Sequence, residues 1–128
     1  MSNQESIQLT AILNKLLACN QKHIHQSEMG RHVDCMYVVL TYCFQLSRNC
    51  PLMCLFSPAK GCGKTTNLDW LATYSKNPFI SGNMSASSLY RIIDLEPRTI
   101  LFDEFDSMPE ESQKAMMNII NNGFHKNR

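Results

Sequence analysis

Two short segments carry residue types whose spacing suits phosphate and metal chemistry: SPAKGCGKTT at residues 57–66 and TILFDEFD at residues 99–106. Glycines let a loop curl so that successive backbone N–H groups point at an anion, and a helix that starts there adds its positive dipole end. A lysine can then reach the outer phosphates, and a hydroxyl can bind the metal. The two segments predict a site for a nucleoside triphosphate, with ATP and Mg²⁺ as the expected ligands.

The loop is expected to contact the nucleotide along most of its length. The predicted contacts are Pro58, Ala59, Lys60, Gly61, Cys62, Gly63, Lys64, Thr65 and Thr66. The Thr65 hydroxyl is also expected on the metal, and Lys64, which reaches the outer phosphates, is predicted to be a catalytic residue. Pro58 stands where the usual pattern has glycine, and its fixed φ requires an extended or turn-like entry to the loop.

The acidic residues follow Thr99–Phe102, an apolar run that predicts a buried strand. Ligands bind at the carboxyl ends of parallel strands, so Asp103 is expected to hold Mg²⁺, directly or through water. Glu104 points elsewhere and is the candidate general base for an attacking water. Asp106 either assists the metal or starts the next turn, and the turn is the favoured interpretation.

Apolar periodicity predicts the elements that would position these segments. Helices are predicted over residues 7–17, 33–46, 64–74 and 86–95. A fifth helix is predicted from a capping box at Ser107 and Glu110 to about Asn121. Strands are predicted over residues 52–56, 78–80 and 99–102. Ser85 is expected to cap the fourth helix. The run LMCLF at residues 52–56 is expected to be a central strand buried on both faces. Alternation of strand and helix from residue 51 onward predicts a parallel sheet covered by helices.

Composition sets further bounds. The chain has 128 residues, of which 44% are hydrophobic, which is enough for one core. A net charge of +1 produces no global field that would attract nucleic acid or an anionic membrane. No apolar run reaches the length of a membrane span, and the N-terminus lacks the pattern of a secretory signal. The expected compartment is the cytoplasm, where the six cysteines are expected to be free, small and buried.

Cysteine and histidine raise two alternatives. Cys19, His23, His25 and Cys35 could be assembled into a zinc set, but their spacing matches no strong ligand pattern, and surface histidines are the favoured interpretation. Cys62 lies near a helix N-terminus, where a thiolate would be stabilised. A small residue between two glycines is the favoured interpretation of Cys62.

The loop and the acidic strand end resemble those of P-loop NTPases with a catalytic glutamate after the metal-binding aspartate, the division that contains AAA+ and RecA-like ATPases. More narrowly, SPAKGCGKTTNLDWLA is similar to a domain family of uncharacterised function in phage, plasmid and other mobile-element proteins, often fused to DNA primase–helicase modules. NMSASSLYRII and NNGFHKNR are similar to further segments of that family, so the resemblance covers residues 32–128. The resemblance implies that proline is normal in this loop. It implies ATP binding at Gly61, Gly63, Lys64 and Thr65, metal binding at Asp103 and catalysis by Glu104.

The expected fold class is α/β: a P-loop NTPase three-layer αβα sandwich with a parallel sheet, cut short after the Walker B strand and the following helix. Residues 1–49 are expected to form an N-terminal helical segment packed on the core, and residues 50–128 the first part of the P-loop NTPase domain. The family's sensor strand and arginine finger would follow Arg128. The chain is therefore expected to be a fragment, a truncated product or a piece completed by a partner.

The expected function is ATP hydrolysis in a DNA-associated helicase or primase-type ATPase of a phage or mobile element. DNA is implied by family analogy alone, further copies of the chain are a second candidate partner, and a membrane is not expected. Two alternatives stay open: a non-hydrolysing nucleotide-binding or interaction module, and a small-molecule kinase. Glu104 directly after Asp103 and the lack of an arginine-rich lid disfavour the kinase.

Overall fold

The computed structural model describes residues 3–47, 49–56, 59, 61–82 and 84–124. Its helices are α1 (Asn3–His23), α2 (Glu28–Cys43), α3 (Lys64–Tyr74), α4 (Ala86–Leu95) and α5 (Glu110–Phe124), and its strands are β1 (Pro78–Ser81) and β2 (Thr99–Phe102). Short 3-10 helices, Phe44–Leu46 and Phe105–Ser107, follow α2 and β2. Two predicted nucleotide contacts, Pro58 and Lys60, lie outside the described residues, as do residues 125–128. No helix in the described part is long and apolar enough to cross a membrane.

The two strands form a parallel pair in which Pro78 lies opposite Thr99 and Ser81 opposite Phe102. Parallel neighbours need a crossover connection rather than a tight turn, and α4 provides it. The Asp103 backbone N–H donates to Ser81 O across 3.1 Å, which continues the pairing one residue beyond β2. The start of the acidic segment is therefore held by backbone hydrogen bonding.

Side chains of β2 point alternately to two apolar clusters, one on each face of the sheet. Leu101 lies in the first cluster, and Ile100 and Phe102 pack against the second. The buried residues of the first cluster are Ile24, Cys35, Val38, Trp70, Leu71, Ala72 and Leu101. The buried residues of the second cluster are Leu89, Met108, Met116 and Ile119. β2 is thus packed between α3 and the N-terminal helices on one face and α4 and α5 on the other.

The predicted fold class is wrong. In the described part of the chain the sheet has two strands and the remaining elements are helical, so the structure is not the three-layer αβα sandwich of a P-loop NTPase. The prediction depended on residues 52–56 as a central strand, and this segment forms no strand. A central strand needs a hydrogen-bonded neighbour on each side, and no described strand pairs with this segment.

Instead, one side of the segment 52–56 packs against the first cluster. Met53 and Leu55 are half-buried and pack against it, whereas Leu52 and Phe56 are 51% and 91% exposed. A short apolar run is compatible with burial on both faces, on one face or in a helix, and its composition does not distinguish these states. The segment is therefore buried on one side and solvent-exposed on the other.

Local predictions were more accurate than the prediction of the sheet. α3, α4 and β2 have the predicted bounds, and Ser85 caps α4 by accepting a hydrogen bond from the Ser88 N–H across 3.3 Å. The predicted capping box is wrong, because the Ser107 hydroxyl donates to Glu104 O and α5 begins only at Glu110. α1 and α2 both begin earlier than predicted.

A buried polar network joins α1 to α2. The Gln26 side-chain amide donates to Asn20 Oδ1 across 2.9 Å and to Asp34 Oδ2 across 2.6 Å. Asn20 Nδ2 also donates to Asp34 Oδ2 across 3.3 Å. Asn20 and Asp34 are almost completely buried, so each needs these partners to replace the hydrogen bonds it makes to water in the unfolded chain.

Candidate functional site

The glycine-rich loop adopts the backbone conformation for which its glycines were expected. Gly61 has φ +79° and Gly63 has φ +82°, both in the left-handed region that side chains with a Cβ rarely adopt. A Cβ built on either glycine meets no atom of a described residue within 4 Å. Among the described residues, glycine is therefore required there by the backbone angles rather than by crowding.

The N-terminus of α3 is directly at the end of this loop. Gly63 is the N-cap, no side chain caps the helix, and the Gly63 carbonyl accepts the first helical hydrogen bond from Asn67 N across 2.9 Å. The first-turn N–H groups of a helix have no acceptor within it, and the helix dipole makes this end attractive to anions. Because residues 61–66 are all exposed, an anionic ligand in solution can reach these N–H groups.

The structure brings the two predicted metal ligands together. The Thr65 hydroxyl donates to Asp103 Oδ2 across 3.3 Å. The other carboxylate oxygen, Asp103 Oδ1, accepts from the Glu104 backbone N–H across 3.0 Å, which restricts the orientation of the carboxylate. A hydroxyl and a carboxylate are hard oxygen donors of the kind that Mg²⁺ prefers. The donor set therefore fits the predicted cation.

Glu104 occupies an uncommon backbone conformation. Its φ of +55° and ψ of +33° lie in the left-handed helical region, where a non-glycine residue is disfavoured by about 1–2 kcal/mol. Both the N–H and the hydroxyl of Ser107 donate to Glu104 O, at 2.9 and 2.8 Å, and hold the turn. The Glu104 side chain is exposed and forms no hydrogen bond or salt bridge within the described part of the chain.

The remaining predicted contacts are at the surface. Ala59, Cys62, Lys64 and Thr66 are all exposed. Lys64, the first residue of α3, forms no salt bridge with any described residue. Its ammonium group is therefore not neutralised by a described carboxylate. Asp106 lies in the 3-10 helix after β2.

Two buried oxygen atoms on neighbouring elements were not identified from the sequence. Asn67 Oδ1 on α3 and Ser81 Oγ at the end of β1 have no hydrogen-bond partner among the described residues. Ser81 is also the residue whose carbonyl receives the Asp103 N–H. The sequence gives only a weak signal that these two polar residues are buried, because their burial is decided by the packing of α3 on the sheet.

The described residues contain no group of three or more His, Cys, Asp or Glu side chains that could hold a metal. Cys19 and His23 approach each other, with Sγ 3.7 Å from Nδ1, but the predicted zinc alternative needs two further ligands beside them. All six cysteines are free, in agreement with the sequence prediction. The prediction that they are buried is wrong for Cys50, Cys54 and Cys62, which are exposed.

An apolar groove of about 490 Å³ lies elsewhere, between α2 and the segment that follows Pro51. Its lining residues are His32, Val33, Met36, Tyr37, Leu40, Pro51, Leu52 and Met53. This lining is almost entirely apolar and includes no described residue of the glycine-rich loop, and an apolar surface does not suit phosphate binding.

Comparison with known proteins gives no match: no protein-family model, no curated protein and no solved structure is similar to this chain at a significant level. The candidate site is therefore defined by its own residues, namely the left-handed glycines, the exposed helix N-terminus and the contact between Thr65 and Asp103.

Proposed function

We propose that this chain binds ATP with Mg²⁺ at residues 61–66 and hydrolyses it. The observation that carries the proposal is the 3.3 Å contact between Thr65 Oγ1 and Asp103 Oδ2. It joins the first turn of the helix after the glycine-rich loop to the end of the acidic strand, which is the pairing that nucleotide and metal chemistry requires. The proposal needs the loop, α3 and β2, and it does not need the larger sheet.

Thr65 and Asp103 are the residues that would hold Mg²⁺. Magnesium sites use one or two protein carboxylates together with water and substrate phosphates, so a single carboxylate beside a hydroxyl is a sufficient protein contribution. When bound, the metal would offset the negative charge of the phosphate oxygens. Asp103 is suited to this role because its carboxylate is half-buried and held by two hydrogen bonds.

The chain's own groups would supply the rest of the site. Backbone N–H groups of the loop and of the first turn of α3 would bind phosphate oxygens, and the Lys64 ammonium would add a positive charge. Glu104 would accept a proton from the attacking water, which is the role of a general base.

A second candidate function is a nucleotide-binding module that does not hydrolyse ATP. The observation that favours it is that the Glu104 carboxylate is exposed and is not held by a hydrogen bond within the described residues. A general base must lie within hydrogen-bond reach of the proton that it removes, so an unrestrained carboxylate would be a poor one. Binding and hydrolysis are therefore tested separately.

Binding is measured by isothermal titration of ATP into the full chain, with and without Mg²⁺. Lys64→Ala is expected to weaken ATP binding by about tenfold or more, because a charge-assisted contact to phosphate is lost. Lys15→Ala, which removes an exposed lysine of α1, is the charge-matched control and should bind as the wild type does. Equal ATP affinity in the wild type and Lys64→Ala contradicts the proposed site.

Hydrolysis is measured as phosphate release from ATP. Glu104→Gln is expected to lower the rate by about 100-fold or more while ATP affinity is retained, because only the proton acceptor is removed. ATP binding without any phosphate release by the wild type favours the non-hydrolysing module. Phosphoryl transfer only when an acceptor is added favours the small-molecule kinase.

The resemblance to mobile-element ATPases also suggests a compartment, a nucleic-acid partner and an oligomeric state for the proposed ATPase. We expect a cytoplasmic ATPase that acts with DNA and assembles from several copies of the chain, each of these by family analogy alone. Phosphate release measured with and without single-stranded DNA checks the first expectation, and light scattering with and without ATP checks the second. If single-stranded DNA does not change the rate of phosphate release and ATP does not change the molecular mass, the expectations of DNA association and of assembly are wrong, and only the nucleotide site remains proposed.

A further inference from the structure

A second group of reactive side chains lies at the end of α3 that is farthest from the glycine-rich loop. Cys19 Sγ on α1 is 3.0 Å from the hydroxyl oxygen of Tyr74, the last residue of α3. His23, one helical turn after Cys19, places Nδ1 3.7 Å from the same sulfur. Cys19 is half-buried.

Either group can donate in the contact between Cys19 and Tyr74 while both are protonated, but only the Tyr74 hydroxyl can donate once the thiol has lost its proton. The hydrogen bond from the Tyr74 hydroxyl lowers the pKa of the Cys19 thiol, against burial, which raises it, and Trp70 and His23 lower it further. The same contact raises the pKa of Tyr74. When Cys19 is ionised, the Tyr74 hydroxyl donates to the sulfur and stabilises the thiolate. The thiolate is the nucleophilic form of cysteine.

Trp70 provides a second observation at this site, because its buried indole N–H has no hydrogen-bond acceptor among the described residues. Its side chain is only 6% exposed, and its ring lies against Tyr74 with centroids 4.9 Å apart. The buried indole Nε1 has no hydrogen-bond partner among the described residues, although it acts on Cys19 closely enough to lower the pKa of the thiol. A buried donor without a partner is costly, and an oxygen atom added to Cys19 would give it an acceptor.

We propose that Cys19 is a modification site at which hydrogen peroxide oxidises the thiolate to a sulfenic acid. The sulfur attacks one peroxide oxygen, an S–O bond forms and the O–O bond breaks. Sulfur is oxidised by two electrons, peroxide is reduced, and the departing hydroxide takes up a proton to become water. The site is separate from the proposed nucleotide site, and the oxidation does not depend on ATP binding.

The other titratable groups that face Cys19 come from each packed helix: His23 from α1, Cys35 from α2 and Tyr74 from α3. Cys35 differs from Cys19 although both belong to the same core, because burial raises the pKa of the Cys35 thiol to about 11 and keeps it neutral. Cys54 provides the contrast at the surface, because it is exposed and no described side chain donates a hydrogen bond to it. Oxidation is therefore expected at Cys19 ahead of both.

The test treats the full chain with hydrogen peroxide at pH 7, traps sulfenic acid with dimedone and measures each cysteine by mass spectrometry. Cys19 is expected to be labelled about tenfold faster than Cys54, because the Tyr74 hydroxyl stabilises the Cys19 thiolate. Cys35 is expected to stay unlabelled in the folded chain. Labelling of Cys19 no faster than that of Cys54 overturns the proposal.

Tyr74→Phe removes the hydroxyl and keeps the ring. It is expected to slow Cys19 labelling several-fold and to move the pH midpoint of its alkylation by iodoacetamide upward. Tyr37→Phe is the matched control, because the Tyr37 hydroxyl donates to Pro51 O and not to a cysteine. If circular dichroism shows that Tyr74→Phe is unfolded, His23→Gln replaces it, with the same expected direction. An unchanged midpoint in the folded variant overturns the role of these donors.

Discussion

Thr65 and Asp103 are separated by 38 residues in the chain, and the Thr65 hydroxyl donates to the Asp103 carboxylate across 3.3 Å. Thr65 is positioned because α3 begins immediately after Gly63, and Asp103 is positioned because its own N–H continues the backbone pairing of β1 with β2. Two independent local structures therefore meet at one pair of oxygen donors.

Thr65 and Asp103 are expected to act together in metal-dependent nucleotide binding. Thr65→Val and Asp103→Asn should each weaken ATP binding in the presence of Mg²⁺, and the double variant should lose less than the sum of the two. Contacting residues typically show a coupling energy of about 0.5–3 kcal/mol. The measurement is a double-mutant cycle by calorimetry, repeated without Mg²⁺, where the coupling should shrink.

The control for this cycle is Thr73→Val with Asp94→Asn, two exposed positions on α3 and α4. Their effects on ATP affinity should be small and additive, because no contact joins them. Additive losses at Thr65 and Asp103 would mean that the 3.3 Å contact is not part of a metal site.

Gly63→Ala is expected to impair both the loop and the start of α3. Its φ of +82° would cost a residue with a Cβ about 1–2 kcal/mol, although no atom of the described residues lies within 4 Å of the added Cβ. Urea unfolding should show the loss of stability, and calorimetry should show weaker ATP binding. Gly82→Ala is the matched control, because a Cβ at Gly82 also meets no described atom within 4 Å and Gly82 does not have a positive φ. Equal behaviour of the two variants would contradict the role assigned to the loop backbone.

Asp34→Ala is expected to destabilise the packing of α1 on α2. The substitution leaves the buried amide group of Asn20 and the half-buried amide group of Gln26 without their shared acceptor, Asp34 Oδ2. An unsatisfied buried polar group costs about 1–3 kcal/mol, so the free energy of unfolding should fall by at least that amount. Asp94→Ala, at an exposed position of α4, should change the free energy of unfolding by less than about 0.5 kcal/mol. Similar urea midpoints for both variants would show that the network is not stabilising.

Stability is expected to fall in alkaline solution because of Cys35. Burial raises the pKa of this thiol from 9.0 to about 11, so the folded state favours the neutral form. The resulting stabilisation is complete below pH 9 and is lost as the pH rises through the folded-state pKa near 11. Urea unfolding at intervals between pH 8 and 11 measures the decline.

Cys35→Ala removes this thiol, and the decline with pH should then be shallower. Some decline should remain, because burial also raises the pKa of Tyr37. Identical slopes for the wild type and Cys35→Ala would contradict the assignment to Cys35.

Several elements of this protein could be predicted from the sequence because their causes are local. α4 follows from a serine N-cap and an amphipathic run, and β2 from an apolar run that ends at an acidic pair. The positive φ of Gly61 and Gly63 also follows from residue type, since glycine adopts this conformation with little cost. Helix capping, backbone angles and short apolar patterns depend on residues that are adjacent in the chain, and these residues can be read from the sequence.

Non-local packing decided the features on which the sequence predictions were wrong or silent. Residues 52–56 have the composition of a central strand, but strand formation requires a hydrogen-bonded neighbour, and the described sheet consists of β1 and β2 alone. The Asn20–Gln26–Asp34 network and the contact of Cys19 with Tyr74 each join residues from different elements. Such contacts depend on how helices are oriented against one another, and that orientation arises from the summed burial of side chains across the whole core.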